Sequence, residues 1–215
     1  MFVTGLEYNT TERSKPILIS TIAVIVLISV LQFVVQSGWA AVIECPTTIL
    51  ECNGTTADDI IFGNSGTNVI HGLAGNDYIF GSGYSSDYIF GDDGNDVLLG
   101  SHGNDVLQGG RGNDKYSGSG GDDTIMEDVG SVGSFNNNND IISGGEGSDY
   151  LSSGFGVDSI NGGPGKDYAY PNGYHRDFSF DSVNCGEGTE DFLFLFYSGD
   201  GETAINCEIL WDEDR

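Results

Sequence analysis

Gly72-Leu73-Ala74-Gly75-Asn76-Asp77-Tyr78-Ile79-Phe80 and, two units later, Gly91-Asp92-Asp93-Gly94-Asn95-Asp96-Val97-Leu98-Leu99 repeat one nine-residue pattern, and that pattern recurs from Gly54 to about Tyr170. The sixth place is filled by Asp59, Asn68, Asp77, Asp87, Asp96, Asp105, Asp114, Asp123, Asp140, Asp149, Asp158 and Asp167. Two places later stand Ile61, Ile70, Ile79, Ile89, Leu98, Leu107, Tyr116, Ile125, Ile142, Leu151, Ile160 and Ala169. A single inserted residue within Gly81 to Phe90 and a longer insertion within Glu127 to Asn138 interrupt the count, and the phase resumes after each.

The spacing has a structural meaning. The glycines permit tight turns with positive φ, and the three residues after each aspartate are rich in strand formers, so turn and strand alternate. Side chains alternate along a strand, so an inward eighth place turns the seventh and ninth outward. If two units complete one coil, Asp59, Asp77, Asp96 and Asp114 share one stack of turns, and Asn68, Asp87, Asp105 and Asp123 share the other. Beyond the long insertion the stacking parity stays open.

Charge says what such a stack needs. The chain has 215 residues, 34 of them glycine, with 33 acidic residues against 7 basic and a formal net charge of −26. That balance argues against nucleic acid or an anionic membrane surface as a partner and in favour of cations. Stacked strands lie about 4.8 Å apart, so carboxylates in successive turns repel by about 1 kcal/mol per pair in water and by several times more at protein-like dielectric. A hard dication with oxygen ligands reverses the sign, and calcium tolerates irregular geometry where magnesium resists dehydration.

The repeat resembles the nonapeptide G-G-x-G-x-D-x-U-x of the repeats-in-toxin (RTX), or hemolysin-type calcium-binding, family. The resemblance implies an all-β fold, a parallel β-roll or β-helix-like solenoid, with several calcium ions as cofactor. It also implies the ligands: Asp59, Asp77, Asp87, Asp96, Asp105, Asp114, Asp123, Asp140, Asp149, Asp158 and Asp167, each ion sitting between turns of one stack and taking carboxylates together with carbonyls of the glycine turn. Extracellular calcium modules of this kind bind at roughly 10⁻⁴ to 10⁻³ M. The chain departs from the pattern where Ala57 and Asn138 replace the fourth-place glycine, where Tyr84 or Ser85 takes that place, and where Val157 and Lys166 precede the aspartate. The first turn, Asn68 and the last units are expected to bind poorly or not at all.

The remaining chain divides around this tract. Residues 1–40 are expected to be a signal peptide or membrane anchor: Ile17 to Val35 is an apolar run close to bilayer length behind Arg13 and Lys15, and Gly38-Trp39-Ala40 offers a cleavage point. Membrane contact is expected only through residues 17–35 if they stay uncleaved, and in both cases the acidic part lies extracellularly, secreted or anchored at the cell surface. Residues 41–53 are read as an N-terminal cap, 54–170 as the calcium-binding repeats with an insertion at about 127–138, and 171–215 as degenerate repeats and a C-terminal cap. Cysteines 45, 52, 185 and 207 flank the repeats. Three pairings are open, and proximity favours Cys45 with Cys52 and Cys185 with Cys207.

Outward places in the early units are apolar at Ile60, Phe62, Tyr78, Phe80, Tyr88 and Phe90. They are read either as covered by an end of the molecule or as a docking patch for a surface protein or glycan. Asn53-Gly54-Thr55 and Asn9-Thr10-Thr11 fit the glycosylation acceptor. There is no H-E-x-x-H and no G-x-S-x-G, and His71, His102 and His175 are the only histidines, so no catalytic site is expected. The expected function is an exported, non-enzymatic calcium-binding repeat protein that folds on calcium and serves a structural or adhesive role. The alternative is an accessory module of a secreted enzyme or toxin.

Overall fold

The structure, a computed structural model, describes residues 40–47, 51–127, 138–171, 180–188, 190–195 and 203–212, with the backbone alone for 209–212. The chain divides into two units, Met1–Val35 and Gln36–Arg215, and the fold below belongs to the second. The readings of 17–35 as a membrane-targeting segment and of Asn9 as a glycosylation acceptor lie outside the described residues.

Every regular element among the described residues is a strand, and the long sheets are wholly parallel. One nine-stranded sheet runs in order through Val42–Glu44, Ile60–Phe62, Tyr78–Phe80, Val97–Ser101, Lys115–Gly120, Ile141–Glu146, Ser159–Asn161, Ser182–Asn184 and Thr203–Ile205. The other takes the intervening strands, Glu51–Asn53, Val69–His71, Tyr88–Asp93, Val106–Arg111, Thr124–Met126, Tyr150–Ser152, Tyr168–Tyr170, Phe192–Leu195 and Ile209–Asp212. The chain therefore alternates between sheets at every unit, and two units make one coil, as the nine-residue phase predicts. Together the sheets form a parallel β-roll, a β-solenoid.

The core is the eighth place of the repeat. In the first sheet Ile61 pairs with Ile79, Ile79 with Leu98, Leu98 with Tyr116, Tyr116 with Ile142, Ile142 with Ile160 and Ile160 with Val183. In the second, Cys52, Ile70, Ile89, Leu107, Ile125, Leu151, Ala169 and Leu193 form the equivalent column. The two columns meet in one cluster, in which the repeat's Ile and Leu side chains are at most 1 % exposed. A buried Ile or Leu contributes about 1.5–3 kcal/mol, so the core is a sum of small equal steps along the axis.

The register also resolves what the sequence left open. Asp114 and Asp140 lie 26 residues apart, and their strands still pair in phase, so the insertion changes neither sheet nor stack. The same holds from Asp123 to Asp149. Beyond Tyr170 the strands Ser182–Asn184, Phe192–Leu195, Thr203–Ile205 and Ile209–Asp212 extend the same two sheets, with Val183 and Leu193 buried in the core columns, while Glu187–Gly188 pairs with Pro164–Gly165 in a small sheet of its own.

Both disulfides favoured by proximity are formed, Cys45 to Cys52 and Cys185 to Cys207. Each ties neighbouring segments at one end of the solenoid, where a coil has a neighbour on one side only and gains least from stacking. The early outward positions are not covered: Ile60 is 39 % exposed, Phe62 41 %, Tyr78 52 % and Tyr88 45 %. Phe80 and Phe90 are half-buried, Phe80 stacked on Phe62 at 5.0 Å and Phe90 on His71 at 4.5 Å. Ile60, Phe62, Tyr78 and Phe80 share the outer face of the first sheet, whereas Tyr88 and Phe90 belong to the second.

Candidate metal centres in two rows of turns

Each turn leaves one sheet and enters the other, so the turns form two rows. Row one carries Asp59, Asp77, Asp96, Asp114, Asp140, Asp158 and then Asp181; row two carries Asn68, Asp87, Asp105, Asp123, Asp149, Asp167 and then Asp191. All are buried, none more than 2 % exposed. Asp181 and Asp191 lie in the part read from sequence as degenerate. They were missed because the steps to them are 23 and 24 residues, which breaks the nine-residue count without breaking the ladder.

One oxygen of each carboxylate holds the ladder together. The backbone N–H of Asp77 donates to Asp96 Oδ1 at 2.8 Å, that of Asp96 to Asp114 at 2.7 Å and that of Asp114 to Asp140 at 2.7 Å. Row two repeats this from Asp87 to Asp105 at 2.7 Å and onward to Asp191. The other oxygen is left over. Oδ2 of Asp77, Asp96, Asp105, Asp123, Asp140, Asp149, Asp167 and Asp191 is buried with no hydrogen-bond donor, whereas the Asp114 carboxylate meets the Tyr116 hydroxyl. A buried polar atom without a partner costs about 1–3 kcal/mol, more when charged, so a repeated series of them marks a place for a ligand.

The glycines explain where that oxygen points. A Cβ at first-place Gly72 would fall against Asp77 Oδ2 and the carbonyl of Gly91; at Gly91, against Asp96 Oδ2 and the carbonyl of Gly109. Row two does the same at Gly100, between Asp105 Oδ2 and the Gly118 carbonyl, and at Gly118, between Asp123 Oδ2 and the Gly144 carbonyl. Glycine thus opens a cradle lined by a carboxylate oxygen and a carbonyl oxygen. Fourth-place Gly94 and Gly112 have φ of +155° and +130°, and a Cβ there would strike the carbonyl of the preceding turn. Among the described residues no three His, Cys, Asp or Glu side chains converge on one point, so an ion in a cradle depends on main-chain carbonyls for much of its shell. All donors are oxygen, which suits a hard cation with six to eight oxygen ligands.

A protein-family comparison matches residues 53–83, 90–125 and 136–169 to the RTX calcium-binding nonapeptide repeat, in four copies. The repeat tract belongs to the RTX calcium-binding nonapeptide repeat family. The breaks in the match, 84–89 and 126–135, overlap the one-residue and the long insertions. The chain matches no curated protein. RTX repeats bind calcium, and the oxygen cradles fit that ion.

Within the RTX turns the sequence-predicted ligands are not equivalent. Both oxygens of Asp59 already have donors, Ala41 N–H to Oδ1 and Thr55 N–H to Oδ2, each at 2.6 Å. Asp87 Oδ2 accepts from Ser82 N–H at 3.1 Å. At Asn68 the side-chain amide donates to the carbonyls of Asn64 at 3.0 Å and Gly66 at 2.6 Å and to Asp87 Oδ1 at 2.8 Å, taking for itself oxygens that a cation would need. The fifth place, which the sequence reading left without a role, forms an outer ladder. Asn76 Oδ1 accepts the N–H of Asn95, Asn95 that of Asn113, Asn113 that of Asn139 and Asn139 that of Val157. Val157 receives the bond but has no side-chain oxygen to pass it on.

Electrostatics carry the same message. Burial pushes the carboxyls of Asp77, Asp96, Asp123, Asp140 and Asp167 up to about 7, and those of Asp105, Asp114 and Asp149 up to about 6. The N–H from the neighbouring turn pulls each part of the way back, and the charges of nearby aspartates add to the rise along most of the ladder. Glu127, which sequence reading also passed over, is raised to about 10 by burial first and by the Asp140 charge second. His71 is half-buried and not simply exposed as its repeat position implies: it stacks on Phe90 and its Nδ1 lies 3.2 Å from Asp92 Oδ2.

Proposed function

We propose that this chain is an exported, non-enzymatic calcium-binding β-roll whose folding is driven by calcium, with a structural or adhesive role at the cell surface or outside the cell. The observation that carries the reading is the series of buried, donor-less carboxylate oxygens of Asp77, Asp96, Asp105, Asp123, Asp149 and Asp167, each facing a glycine cradle with a carbonyl opposite. Asp77, Asp96, Asp105, Asp114, Asp123, Asp140, Asp149, Asp158 and Asp167 supply the carboxylates. Asp59 and Asp87, whose oxygens already meet N–H donors, contribute less. Two disulfides at the ends support a life in an oxidising compartment, where calcium is also plentiful.

The exposed Ile60, Phe62 and Tyr78 on the first sheet, with Tyr88 on the second, favour a surface protein or glycan as ligand, and equally the second reading, an accessory module docked on a secreted enzyme or toxin. Protease added to intact cells tests the location and the calcium dependence together. The chain should be digested in chelator and spared in millimolar calcium. Survival under both conditions, with digestion only after lysis, would contradict export.

A further inference from the structure

Row one changes character at its middle. Its first place is glycine at Gly54, Gly72, Gly91 and Gly109, and then glutamate at Glu127, the residue that leads into the insertion. Glu127 is 7 % exposed and its Oε2 has no hydrogen-bond donor. We propose that Glu127 Oε2 and Asp140 Oδ2 together hold a calcium ion in a site of their own, distinct from the glycine cradles.

The side chain is held for this purpose. Asn138 Nδ2 donates to Glu127 Oε1 at 2.6 Å and also reaches the Gly110 carbonyl at 3.3 Å, so one carboxylate oxygen is fixed and the other is left to point inward. Gly154, with φ of +79°, leaves room that a Cβ would take from Glu127 Oε2. Asp140 Oδ2, in a residue 1 % exposed, is likewise without a donor, and the two carboxyl groups lie within hydrogen-bonding reach of each other. The neighbouring glycine cradle is meanwhile taken by a side chain: the Tyr116 hydroxyl accepts the Gly109 N–H at 3.1 Å and stands in the space beside Asp114 Oδ2.

Two carboxylates forced together away from water must share a proton or a cation. A regular cradle offers one free carboxylate oxygen per turn, whereas this turn offers two. Calcium affinity is tuned by the charge of the ligand set, so this site should fill before the others. Its ligands lie far apart in sequence, one directly after the strand Thr124–Met126 and the other directly before Ile141–Glu146, so the ion would tie the two sheets' successive strands at this turn.

The inference rests on the calcium reading above and is tested separately from it. Bound calcium is counted by equilibrium dialysis on the full chain, unaltered and as E127Q, with E146Q, at an exposed carboxylate outside the turns' ladders, as a comparison. Glu127→Gln keeps the oxygen that meets Asn138 and removes the charge. It should lower the count by one ion per chain and weaken the first binding phase by about tenfold or more, whereas E146Q should leave both the count and that phase in place. An unchanged count and first phase in E127Q would overturn the proposal, as would tighter binding, since that means the pair merely shares a proton. Should E127Q fail to fold in calcium, E127D decides: folding restored in calcium and not in chelator supports the site, and no restoration overturns it. An unaltered chain that binds no calcium would overturn both readings, whereas normal binding with an indifferent E127Q overturns this one alone.

Discussion

In a calcium chelator at about pH 8, a fragment spanning residues 41–215 should lose its β structure, and acidification to about pH 4 in the same chelator should restore a large part of it. The sign follows from the direction of the shifts. The carboxyls of Asp77, Asp96, Asp123 and Asp167 stand at about 7 in the fold against an ordinary value of 3.8. A folded-state value above the unfolded one means that the fold holds its protons more tightly. The stabilisation is therefore complete below about 3.8 and is lost as pH rises through about 6 to 7. Calcium and protons compete for the same oxygens, so calcium affinity should fall across that window as the ladder protonates. Circular dichroism against pH in chelator is the check. A fold without calcium that is stable at pH 8 and weakens on acidification would contradict the raised carboxyls.

Asp96→Ala and Asp105→Ala should raise the calcium midpoint of folding well beyond Asp59→Ala or Asp191→Ala. Asp96 and Asp105 sit mid-row, with cradles on both sides. At a free concentration about ten times the dissociation constant each ion adds about 1.4 kcal/mol, so a mid-row loss that disables two sites costs about 3 kcal/mol and an end-row loss about half of that or less. Asp59 has N–H donors on both oxygens, and the N–H of Asp191 donates to Glu208 and not to another rung. Equal midpoints in all four variants would mean independent surface charges and would remove the nearest-neighbour ladder.

The sequence carried the coil itself because the two periodic requirements are local. Ile79 must be aliphatic to pack and Asp77 must be two places before it to reach the turn, so each unit states its own phase. What escaped were features set by the neighbouring coil. Asp181 and Asp191 regain the ladder through strand pairing after irregular steps, which a count along the chain cannot follow. Glu127 reads as a broken glycine position until Asp140 is folded back beside it across the insertion. Asn68 reads as a weakened ligand, yet its amide nitrogen bonds the turn's own carbonyls, a substitution for a cation that only the closed turn displays. The exposure of Ile60, Phe62 and Tyr78 likewise depends on what lies over the sheet, and no residue along a strand records that.

The most direct test of the account is a calcium titration of residues 41–215 by circular dichroism at neutral pH, paired with magnesium at equal concentrations. Calcium in the millimolar range should convert a largely disordered chain into β structure, while magnesium, which holds its own water shell and demands near-octahedral geometry, should do much less. Identical spectra with and without calcium, or equal folding by magnesium, would contradict it.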